Sequence, residues 1–263
     1  MTTLFELIRS FENLSHLENT SVRAIKFGFT NPENQKKIKI RKCILTTYPN
    51  TELIHKVVRD KYDLIISYRL PEIWDTHQII DELYLKIKLL FDNRIYLYEI
   101  PDDFRKGRLA EIIAEVFNFK VTDLLRLRDE TAPDAIVGHI CEPATPDEPV
   151  RNLAFQLQEK LNISPLRYIG NEENQIQKIC LIFGHPLSLY LLRQAKEKQI
   201  DTIICTDFNY AIERAAEELD LNIFEASYYI GSLGLLKLTQ LLRMTHTDVE
   251  FEFDNSKPVF KPH

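Results

Sequence analysis

The sequence predicts an α/β protein of two domains, 1–128 and 129–263, each a largely parallel sheet covered by helices. Three observations carry this. Strand-length apolar runs alternate with amphipathic stretches, as where Ile38–Thr47 is followed by Leu53, Ile54, Val57 and Val58. The rhythm breaks over Lys120–Glu148, where two short runs flank a polar DETAPD turn, with Pro143, Pro146 and Pro149 close by. It then restarts at Val150. A last alternating strand, Val249–Phe253, is expected to pack back on the first domain.

Taken in order, Thr2 or Thr3 caps a helix whose one apolar face is Leu4, Phe5, Leu7, Ile8 and Phe11. Ala24–Phe29 alternates as a strand does, Thr30–Lys37 reads as a polar turn, and Ile38–Thr47 as a second strand. Pro49-Asn50-Thr51 supplies a cap for the next helix. The strand Leu64–Ile66 leads to a helix over 75–91. Arg94–Glu99 is a strand, Pro101–Arg105 a polar loop, and Leu109–Phe117 a helix. Beyond Leu124–Leu127 and Ala135–Cys141 come the helix Val150–Leu161, a short strand at Leu166–Ile169, and strands at Lys178–Phe183, Asp201–Cys205 and Asn222–Ala226. Helices fill the gaps, and the last one runs to about Arg243.

Bulk composition narrows the function classes. Of 263 residues, 44% are hydrophobic and 27% charged, the balance of an ordinary globular chain. A net charge of −6 and a pI near 5.7 disfavour nucleic-acid binding driven by bulk electrostatics. No apolar run approaches the roughly 18 residues a membrane helix needs, and no signal-peptide pattern opens the chain. Cys43, Cys141, Cys180 and Cys205 form no CxxC pair and three of them sit in apolar runs, so reduced, structural thiols and a cytoplasmic location are expected.

The stretch Asp63–Trp74, DLIISYRLPEIW, is the first place to look for a site. Polar residues just past the carboxyl end of a buried strand are where open α/β sheets hold ligands. Here they are Ser67, Tyr68 and Arg69, with no histidine, cysteine or carboxylate before Glu72.

Four segments resemble the NIF-three-like family, which includes the GTP cyclohydrolase I type 2 homologues. Asp63–Pro71 resembles DLIISHHPL. Ile95–Arg105, IYLYEIPDDFR, resembles a strand and loop ending in HTNxD. Phe224–Gly234, FEASYYIGSLG, resembles the DAGHxATE segment, and VEFEFDNSKPVF the terminal VEFxDxxNPV strand. Between them, VGHICEPATPDEP through LRYIG follows a segment that opens VGRxGELPEP and ends LRYVG.

The resemblance implies two facing α/β domains, a toroidal homohexamer or a dimer, and internal sites for divalent zinc, manganese or iron. Carried over by position, the paired histidines of HHP become Tyr68 and Arg69, and the aspartate of HTNxD falls at Arg105, with Asp102 and Asp103 close by. The histidine of GHxATE becomes Tyr228 and its glutamate Ser232. Arginine stays protonated and offers no lone pair, whereas such metals need carboxylates and neutral imidazoles. The expectation is therefore an emptied site with no metal and no cofactor.

Two arginines, two tyrosines and a serine on one rim can instead receive an anion, or can simply fill the space and pair with Asp102 or Asp103. His185, in the loop after a buried strand, is the histidine best placed for chemistry. A rebuilt metal site from His185, Cys205 and Asp207 is the less favoured alternative. Seven glycines without a GxGxxG or GxxxxGK[ST] pattern give no phosphate loop. Gly231 and Gly234 form only a GxxG, which helix capping by Ser232 explains more simply.

Two functions follow from different classes. The first is a non-catalytic scaffold or regulatory subunit, a homo-oligomer or the partner of a metal-competent relative. The second is a metal-independent or re-liganded hydrolase of a nucleotide or pterin-like phosphate.

Overall fold

The computed structural model describes residues 1–15, 24–70, 79, 81–127, 135–227 and 229–255. The strands begin with β1 (Ile25–Phe27), β2 (Lys42–Thr46), β3 (Leu64–Ser67) and β4 (Tyr96–Glu99). They continue with β5 (Lys120–Arg126), β6 (Ile136–Glu142), β7 (Glu148–Pro149), β8 (Arg167–Ile169) and β9 (Gln175–Ile176). The last are β10 (Ile179–Ile182), β11 (Thr202–Cys205), β12 (Asn222–Glu225) and β13 (Glu250–Asp254).

The chain divides into two compact units. One is Met1–Phe104 with Leu235–Ser256, and the other is built on Arg105–Gly234. The boundary therefore falls at Phe104/Arg105 rather than at 128. Proline-rich composition after Cys141 marks only a loop; β5 and β6 pair with each other and with β10, which ties 120–142 into the second sheet.

In the first unit the strand order is β1-β4-β3-β2-β13. β4, β3, β2 and β13 run parallel, and only β1 is antiparallel among the described strands. β2 and β3 are buried almost throughout (KCILT and LIIS), as befits a sheet covered on both faces. Ile44, Ile54, Val57, Ile65, Leu90 and Leu97 form one core cluster. The second unit's sheet, β5-β6-β10-β11-β12-β8, is mixed: β10, β11 and β12 are parallel, while β5, β6 and β8 are laid on antiparallel. The parallel bias expected of both sheets thus holds for the first and for the centre of the second.

Local signals explain the helix starts. Thr3 and Glu6 form a reciprocal capping box: Glu6 N donates to Thr3 Oγ1 at 3.3 Å, and Thr3 N to Glu6 Oε2 at 2.7 Å. Asn50 Oδ1 accepts from Leu53 N at 2.8 Å, opening the helix Thr51–Arg59. Asn209 does the same for Tyr210–Glu218.

Two expected loops are helical. Pro32–Gln35 is a turn of helix capped by Asn31. Asp102–Phe104 is helical and continues through a π-turn, Arg105–Leu109, into the helix Ala110–Val116. Asp102 and Asp103 suit that N-terminus because acids favour the positive end of a helix. Of the helix expected over 75–91, Asp81–Asp92 is described; 71–78, 80 and the DETAPD turn lie outside the described residues.

Candidate functional site

In the first unit, strand register brings polar residues into one row at the carboxyl edge. Thr46 is level with Ser67 and Asp254, and Ser67 with Glu99. The row is closely bonded. Thr46 Oγ1 donates to Asp254 Oδ2 at 3.1 Å, and Ser67 Oγ to the Arg69 carbonyl at 2.9 Å. Glu99 accepts from Leu70 N at 2.9 Å through Oε1 and pairs with Lys26 Nζ at 3.1 Å through Oε2. The backbone of the knot after β3 is therefore fixed by its own strand ends.

On that frame Tyr68 is inward, 2% exposed, its N–H bonded to Thr46 O at 2.8 Å. Arg69 is exposed, and so are Asp102 and Asp103 on their helical turn. These four belong to the first unit, whereas Arg105, His185 and Ser232 belong to the second. Tyr228 lies outside the described residues.

Arg105 opens the π-turn with its side chain buried at 4% exposure. Its neighbour Lys106 lies beside the loop after β10, where a Cβ on Gly184 would sit 3.7 Å from Lys106 Cγ; Gly184 itself takes φ 76°. His185 follows, partly exposed. Its Nδ1 lies 2.9 Å from the Pro186 carbonyl, an acceptor only, so Nδ1 carries the proton and Nε2 is left as acceptor.

After β12 the chain turns at Ser227, φ 56°. In the resembled DAGHxATE segment that position is glycine, the residue for which left-handed backbone costs least. Ser232 is the third residue of the helix Ile230–Thr245, and thus not its cap. Gly234 has a packing role: an added Cβ would lie 2.6 Å from Leu109 Cδ1. The GxxG is explained by helix contact rather than by anion binding.

The strand ends offer no thiolate. All four cysteines are free and buried, and burial pushes their thiols up, Cys141 to about 12. Cys205 is 1% exposed and directs its Sγ to Phe224 O, which removes it from a set with His185 and Asp207. Among the described residues, no three His, Cys, Asp or Glu side chains converge at metal-binding distance.

Two buried histidines went unassigned in the sequence. His139 on β6 is 1% exposed, its Nδ1 without a hydrogen bond and its Nε2 3.9 Å from Glu111; burial lowers its pKa, opposed by Glu111. His246, 9% exposed, binds Ser10 and Thr2. Each lacks a ligand-type spacing in sequence, so nothing local pointed to it.

The family profile of Duf34/NIF3 (NGG1p interacting factor 3) matches residues 3–258. The chain belongs to the Duf34/NIF3 family. A curated Clostridium acetobutylicum GTP cyclohydrolase 1 type 2 homolog is 21% identical over 146 residues, 55% of this chain and 53% of that protein. The match thus spans about half the length of that curated relative. Among solved structures, Staphylococcus aureus hypothetical protein SA1388 superposes with a TM-score of 0.79 at 15% identity, covering 99% of each chain. Reduced HcgD from Methanocaldococcus jannaschii gives 0.73 at 20% identity, covering 96% of this chain and 97% of that one. A Bacillus cereus protein related to NIF3 gives 0.75 at 12% identity, covering 97% of both. At these identities the solved structures bear on fold alone.

Proposed function

We propose that this Duf34/NIF3 protein does not build the divalent metal site implied by its resemblance, and works as a non-catalytic scaffold or regulatory subunit within an oligomer. The observation that carries the proposal is Arg105. A guanidinium, 4% exposed, stands where the resemblance puts a metal-binding aspartate. A guanidinium carries no lone pair to donate, so it cannot take the place of a carboxylate ligand. Tyr68, Arg69 and Ser232 supply no imidazole or carboxylate either, so the donor set does not fit zinc, manganese or iron. Four buried free thiols accord with a reducing, cytoplasmic location.

Calorimetric titration with zinc and manganese tests this directly. Flat heats are expected, and stoichiometric uptake would sink the proposal. A variant restoring the donors, Tyr68→His, Arg69→His, Arg105→Asp, Tyr228→His and Ser232→Glu, is expected to take up metal where the parent does not.

His185 favours a second reading, because Nδ1 is engaged by the Pro186 carbonyl and, among the described residues, Nε2 has no such partner. The protein is then a metal-independent hydrolase of a nucleotide or pterin-like phosphate, with a guanidinium to hold the phosphate. Under it, nucleotides or phosphate raise the melting midpoint, and Arg69→Ala abolishes the shift. No shift with any anion removes the hydrolase.

A further inference from the structure

The helix Asp81–Asp92 departs in part from the usual use of its faces. A helix on a sheet normally buries its apolar residues and exposes its lysines. This one buries Lys86, 7% exposed with Nζ 5.4 Å from the Tyr48 ring centroid, and exposes Tyr84, Leu85 and Phe91 at 53, 58 and 71%. Asp81, Tyr84, Leu85, Lys88 and Phe91 are three or four residues apart and form one outward arc. Leu90, wholly buried, and Leu83, 9% exposed, anchor the opposite side, with Leu89 partly buried against the core. Tyr84, Leu85 and Phe91 give little to the protein's own core.

We infer that this arc is the surface on which a second copy of the chain docks, helix against antiparallel helix about a two-fold axis. The inference rests on the oligomer proposed above and gives it an address. Charge complementarity selects the occupant. An axis midway between Tyr84 and Phe91 sets Tyr84 against the partner's Phe91 and Asp81 against the partner's Arg94. Asp81 and Arg94 are exposed and make no ion pair of their own among the described residues. Lys88, nearest the axis, is neutralised by Asp92 at 2.5 Å. Such a contact is self-complementary, so it closes at two copies.

Area agrees with this. Tyr84, Leu85 and Phe91 offer apolar surface on the order of 300 Å². A stable homodimer interface buries about 800 Å² a side, of which about 65% is apolar. The arc thus supplies most of the apolar core, and the ends of the helix supply the charged rim.

Sedimentation of the full chain tests the inference through two sets of substitutions. All are at exposed positions, and circular dichroism and the melting midpoint check that each variant is folded. Phe91→Asp is expected to lower the assembly by one interface. Asp81→Arg is expected to weaken association about tenfold, and adding Arg94→Asp to restore it. If folded Phe91→Asp keeps the parental mass, the interface lies elsewhere; this inference falls while the proposed oligomer stands. A parental chain that stays monomeric at high concentration removes both. Unchanged metal titration in every variant keeps the test separate from the emptied site.

Discussion

His246 Nε2 lies 2.8 Å from Ser10 Oγ, joining residues 236 positions apart. The other ring nitrogen is 3.3 Å from Thr2 Oγ1, which in turn donates to Asp248 Oδ1 at 2.6 Å. Two hydroxyls and a carboxylate thereby hold the helix Leu4–Ser15 against the segment that precedes β13.

Acid is predicted to loosen this clamp. Burial pushes the His246 pKa down, with Asp248 and Glu6 pulling it back up, and burial lowers His139 as well. A folded pKa below the unfolded value of about 6.5 means that folding favours the neutral ring. The stabilisation is fully present above about pH 6.5 and is lost as pH falls through the folded value. The melting midpoint should decline below that pH, and His246→Gln should flatten the decline. An unaltered slope in His246→Gln would show that the clamp carries no pH dependence.

Gly234 and Leu109 should be energetically coupled. With an added Cβ only 2.6 Å from Leu109 Cδ1, Gly234→Val is expected to cost about 1–3 kcal/mol by overpacking. Leu109 is wholly buried, and Leu109→Ala alone should cost about 2–5 kcal/mol. Together they should cost less than the sum by more than about 0.5 kcal/mol in urea unfolding, because the smaller residue makes room for the larger. Strict additivity would mean that the contact does not exist.

The four thiols should be silent in the native protein. Each is buried and its pKa is raised by desolvation, so little thiolate is available to a reagent such as a disulfide dye. No release is expected at neutral pH in buffer, and four equivalents in denaturant. Prompt native labelling of Cys205 would reopen the case for a thiol at the strand ends.

Much of the fold was legible because its signals are local. The helix Val150–Leu161 has the predicted bounds, and Asn50 caps where it was expected. What stayed hidden depends on distant partners or on subtle backbone geometry. The π-turn at Arg105–Leu109 has no composition signal, and Pro101 with two aspartates reads as a loop although acids also suit a helix start. The antiparallel flanks of the second sheet follow from which strands meet, which periodicity does not encode. Motif comparison exposed the substitutions at Tyr68, Arg69, Arg105 and Ser232. That Tyr68 and Arg105 are buried while Arg69 is exposed required the structure. The burial of Lys86 beside Leu83 and Leu90 in the helix Asp81–Asp92 was equally invisible, because its leucines and lysines fit an amphipathic pattern.

The most direct test of the central claim is elemental analysis of protein purified without a histidine tag and without chelator. Zinc, manganese and iron together should fall below about a tenth of an equivalent, because the residues at the donor positions cannot hold them. One or two equivalents of any of these metals would contradict that account. It would mean that His185, Asp102 or Asp103 has rebuilt a centre.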